Sequence, residues 1–142
     1  MTDPHDIEAL GDNLSASADA LHAQLMRALR KRAPGGTAPG MTQGTAQALF
    51  ENEVLLRQRA NSLYLDSARL AASGLGGAQQ RLLEQTRRAQ DAVARIDQVK
   101  DLVDLSAELL SLGAAVASGK PERIVTPLEK LKHHLDALAP PA

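Results

Sequence analysis

Between Gln79 and Ser118, apolar side chains return every seven residues, at Leu82, Ala89, Ile96, Val103, Leu110 and Ala117. Ala92 and Val99 add the complementary step of three, so a helix over this stretch carries a packing seam. No proline interrupts the run, and its one glycine, Gly113, comes near the end. As a single α-helix the stretch is a rod of roughly 60 Å, a length that belongs to a bundle or coiled coil. Halfway along, the pattern widens. The face carrying Glu84, Arg88, Asp91, Arg95 and Gln98 becomes Leu102, Leu105, Leu109, Leu112 and Val116, beside the older seam of Val99, Val103, Ala107, Leu110 and Ala114. From Leu102 onward one neighbouring helix is not enough to bury the apolar surface, so a second must arrive.

The other elements are read as cover for this one. Asp3-Pro4 starts an N-terminal helix (1–32), with Asp as N-cap and Pro at the first helical position. Ile7, Leu10, Leu14, Leu21, Leu25 and Ala28 form its buried stripe, Gly11 is a weak point that moves the expected start toward Asn13, and Arg27, Arg30, Lys31 and Arg32 close it. These cations read as a solvated helix end, favoured by the macrodipole. Residues 33–44, with Pro34, Pro39 and four glycines, read as a flexible linker. A second helix runs from Thr45, its expected N-cap, to Ala72, with Leu49, Leu56, Leu63 and Leu70 at sevens. It lacks the continuous basic helix that a basic-zipper protein places before its leucines. Ser73-Gly74-Leu75-Gly76-Gly77 ends it in a tight reversal, which makes the second and third helices antiparallel. Gly119 and Pro121 close the third. Thr126-Pro127-Leu128-Glu129 has the form of a capping box opening a short helix that buries Leu128, Leu131, Leu135 and Leu138 before Pro140-Pro141. The third helix outruns the others by about 18 Å, and the last helix is expected to fold back onto the face that begins at Leu102.

The expected fold is therefore all-α: one domain over 1–142, an elongated antiparallel bundle of three long helices and a short C-terminal one, with coiled-coil-like packing and a helical core over 45–142. Composition agrees. The chain is 44% hydrophobic, yet Phe50 and Tyr64 are its only aromatics and Trp is absent, so Leu and Ala must build the core.

Chemistry is hard to find. Without Cys there is no thiolate or Cys-based zinc site. His133 and His134 diverge by about 100° on a helix and lack metal-ligand spacing. Glu51 and Glu53 point apart, and no G-x-S-x-G or P-loop occurs. A net charge of −1 without stacking aromatics in a basic setting removes the usual supports of nucleic-acid binding. No cofactor, metal or catalytic residue is expected, and no enzyme. The acidic N-terminus has no signal-peptide pattern and no window approaches the ~20 apolar residues of a membrane span. The expected location is cytoplasmic, with signal-less export open.

What remains is interaction. Arg57, Asn61 and Tyr64, at i, i+4 and i+7, share a face and form either a partner-binding patch or an exposed rim with Tyr64 over the core. With Leu49, Leu56 and Leu63 they are the candidate interaction residues. The expected function is a non-enzymatic protein–protein interaction module, a self-associating scaffold or a small adaptor or chaperone, whose partner is another protein or itself. The alternative is an amphipathic coat that spreads Leu/Ala faces on a lipid or hydrophobic polymer surface, as phasins do on storage granules.

Overall fold

A computed structural model describes residues 3–30 and 41–138. Most of the linker, Lys31, Arg32 and Pro140-Pro141 lie outside the described residues. Within them the chain is all-helical: α1 (Pro4–Arg30), α2 (Gln43–Leu65), α3 (Ser67–Ser73), α4 (Gln79–Arg95), α5 (Val99–Ala117) and α6 (Val125–Leu138), with short 3-10 turns before α4 and α6.

The expected 60 Å rod does not form. It is broken between α4 and α5, where Ile96 (φ −63°, ψ 133°) and Gln98 (φ −92°, ψ 123°) are extended. No glycine or proline marks the place. The carbonyls of Val93 and Ile96, exposed by the break, instead accept hydrogen bonds from the side-chain amide of Gln24 on α1, both at 2.9 Å. Leaving the helix for three residues forfeits about 2–4 kcal/mol of hydrogen bonding. Burying Leu102, Leu105, Leu109 and Leu112 within the same chain returns about 6–12 kcal/mol, so the reversal wins.

Polar contacts give the helix directions. Tyr64–Asp12, Arg57–Asp19 and His22–Glu53 run in opposite order along α1 and α2, which are antiparallel. Asn13–Thr86 and Gln24–Val93 run in the same order, so α4 is parallel to α1. Asn52–Ser106 (2.9 Å) and the packing of Arg59 against Gly113, with its Cβ 3.5 Å from where a Gly113 Cβ would be, set α5 parallel to α2. α4 and α5 are therefore two arms of a hairpin. α6 lies against both, tied to α4 by Arg88–Asp136 at 2.9 Å and to α5 by His134–Glu108 at 2.8 Å. Leu105, Leu109, Leu112, Leu131 and Leu135 join one buried cluster. The last helix covers the Leu102 face as expected, but the hairpin, and not an overhang, creates the site it fills.

Other boundaries shift for local reasons. α1 starts at Pro4: Asp3 Oδ1 accepts from the His5 amide at 2.8 Å, and the Asp3 amide donates to Asp6 at 3.3 Å. Gly11 is no break. It is buried, and a Cβ there would lie 2.8 Å from the Tyr64 ring, so its bareness is what admits the tyrosine. Thr42, not Thr45, caps α2, accepting from the Thr45 amide at 3.0 Å, while Met41 is in the core. The last two residues of the expected linker are thus helical. After α3, Gly74 takes the left-handed conformation (φ 79°) expected of a C-cap, and Leu75, also left-handed (φ 49°), is held by burial of its side chain. α6 begins at Val125, ahead of the expected Thr126 cap, with Ile124 buried just before it.

Candidate interaction surface

α2 has α1 on one flank and α5 on the other, and a third face turned outward. Its residues sort by helical phase. Leu49, Leu56 and Leu63 fall on the inner face and are fully buried. Their seam is closed by this chain's own core, which leaves them no accessible surface.

The polar trio is also divided. Arg57 turns to α1, with Nη1 2.8 Å from Asp19 Oδ1 and Nη2 3.2 Å from Glu53 Oε2. Asp19 chiefly, with Glu53, raises the guanidinium pKa further against the opposing effect of burial. Glu53 is itself buried and is also bonded to His22 at 2.8 Å, so a four-residue polar clasp joins α1 to α2. Tyr64 lies over Gly11 and donates to Asp12 Oδ1 at 2.5 Å. Burial, then the Asp12 hydrogen bond and charge, push its phenol up to about 12. Both side chains thus serve the α1–α2 contact. Asn61 is exposed beside them.

The outward face holds what the sequence reading passed over. Phe50, Val54 and Leu55 are exposed, Val54 by 51% and Leu55 by 41%. Together with Leu29, Met41 and Ala46 they line an open groove of about 810 Å³ along the first half of α2. The ring of His22 meets Phe50 edge-on, with centroids 6.4 Å apart, so the Glu53–His22 bond braces the groove wall. Among the described residues, Glu51 is the only ionisable side chain in the lining. Such a groove offers shape and apolar area. A sequence signal existed: three large apolar residues lie off the Leu49/Leu56/Leu63 phase, which a one-sided helix does not need.

Comparison with protein families, curated proteins and solved structures finds no match for this chain.

The remaining polar clusters are structural in layout. His134 is bracketed by Glu108 at Nδ1 (2.8 Å) and Asp101 at Nε2 (3.5 Å), which sit on opposite edges of the ring and do not converge on a common point. Among the described residues no three His, Asp or Glu side chains are grouped as metal ligands, and no helix is long and apolar enough to cross a membrane.

Proposed function

We propose that this chain is a non-enzymatic helical interaction module, a scaffold or small adaptor, whose binding surface is the outward face of α2. One observation carries the reading. A concavity on α2 is apolar, open and lined by exposed Phe50, Val54 and Leu55 on a helix whose two flanks are already occupied. Aromatic and aliphatic side chains in a groove with a polar rim are the usual anchors of protein contacts.

The amphipathic-coat alternative draws less support. Spreading α1 on a surface would extract Ile7, Leu14, Leu21 and Leu25, all fully buried between neighbouring helices. At about 1.5–3 kcal/mol per side chain that extraction is costly. The test is capture of binding protein on immobilised full-length chain, with and without Val54→Asp. The expected result is capture that the substitution reduces at least tenfold while the far-ultraviolet circular dichroism stays unchanged. Capture indifferent to Val54→Asp would remove α2 as the binding face.

A further inference from the structure

The outward face of α2 is charged in a way that suits its own copy. Glu51, Leu55 and Arg59 stand at i, i+4 and i+8, a single ridge about 12 Å long. Neither Glu51 nor Arg59 makes a side-chain ion pair or hydrogen bond among the described residues, although Arg57 between them makes several. The stem of Arg59 lies across Gly113 of α5, with Cγ 3.6 Å from where a Cβ would be, which leaves its head unpaired at the α2–α5 junction. Leu55 lies between the two charges and is 41% exposed.

α5 extends this surface. Its Ser106 and Gly113 face α2, and Leu105, Leu109 and Leu112 on one side of that line are buried. Val103 and Leu110 lie about 40–60° to the other side and are only partly buried. They are the shoulder of the older seam that α6 does not cover. Together the outer flanks of α2 and α5 form one continuous surface beside Leu55.

We infer that the occupant of this face is a second copy of the chain, docked antiparallel about a two-fold axis at Leu55, so that Glu51 of each copy meets Arg59 of the other. The inference rests on the α2 reading above and names its partner. A two-fold contact repeats every pair, so one ridge with a cation at one end and an anion at the other satisfies itself twice. An anionic lipid surface would match only the arginine and repel the glutamate.

Charge reversal tests the register. In Glu51→Arg two cations oppose each other at both ends of the ridge, and in Arg59→Glu two anions do. Each substitution alone is expected to weaken the homodimer by about tenfold in sedimentation equilibrium. Mixing the two variants restores both opposite-charge contacts, so the mixture is expected to form the heterodimer, with wild-type affinity, at concentrations where each alone is monomeric. The double variant Glu51→Arg/Arg59→Glu is expected to dimerise as well. Glu51 is exposed and Arg59 is half-buried, with its stem on Gly113, and circular dichroism verifies that every variant is folded. A wild-type chain that stays monomeric at high concentration overturns the second-copy assignment and leaves the α2 reading to the Val54→Asp capture experiment. A dimer whose affinity ignores both reversals overturns the assignment too, since its contact then lies elsewhere.

Discussion

A glycine inside a helix normally costs about 1 kcal/mol against alanine, and Gly11 is expected to reverse that sign. An added Cβ would stand 2.8 Å from Tyr64 Cε1 and 3.2 Å from Cδ1, within the space the ring occupies. The ring can move only by leaving its place over α1, and with it the hydrogen bond to Asp12. Gly11→Ala is therefore expected to destabilise the chain by about 1–2 kcal/mol. In a Tyr64→Ala background the obstruction is gone, and the same substitution should stabilise by up to about 1 kcal/mol. Urea unfolding of the four proteins in this cycle checks it. A Gly11→Ala effect of the same sign in both backgrounds would show that the tyrosine is not what the glycine accommodates. From sequence, Gly11 read as a weakness because its neighbour, Tyr64, is brought to it only by the antiparallel pairing of α1 and α2. Residue pairs of this kind are set by tertiary structure, as is the capture of Arg57 by Asp19.

At the scale of elements, helical segments and their buried faces were legible, because a repeat of three and four residues is a local property. The α4–α5 reversal was not. It contains no helix-breaking residue, and the side chain that satisfies it, Gln24, belongs to another helix. The one trace it left was the change of apolar face at Leu102, which marks a helix with a new set of neighbours. Docking of α6 onto this hairpin carries a titratable contact. Burial alone would lower the pKa of His134; the hydrogen bond and charge of Glu108, followed by those of Asp101, outweigh it and hold the imidazole above its usual range. On the docked face these two α5 carboxylates are its charged neighbours, while Arg88 and Lys132 are engaged with Asp136. Since the folded pKa exceeds the unfolded value of about 6.5, the contribution of the imidazolium is fully present below that value. It is lost as pH rises through the folded pKa. Urea midpoints of the whole chain, followed from about pH 6 upward, are expected to fall more steeply than those of His134→Gln. Parallel curves for the two proteins would show that the ring does not couple α6 to pH.

Across the whole molecule, α2 is the member on which fold and proposed binding both depend, through different faces. Its leucine repeat looked like a contact surface in the sequence because a heptad seam is the same pattern whether its partner is another chain or another part of the same one. Burial separates the two cases here: Leu49 is fully enclosed and Val54 is 51% exposed, five residues along the same helix. An aspartate introduced at Leu49 has no cation assigned to receive it. An unpaired charge in a core of leucines costs several kcal/mol, comparable to the whole stability of about 5–15 kcal/mol expected of a domain. Leu49→Asp should therefore abolish cooperative unfolding and most of the helicity. Any loss of association would then be a consequence of unfolding. Val54→Asp places the same charge in water and should shift stability by no more than about 0.5 kcal/mol, so a loss of association there reports on the surface. Thermal melts by circular dichroism, run beside association measurements on both variants, separate the two. A folded, cooperative Leu49→Asp that fails only to associate would place the leucine seam between chains, and would require α1 to leave α2 in the assembled state.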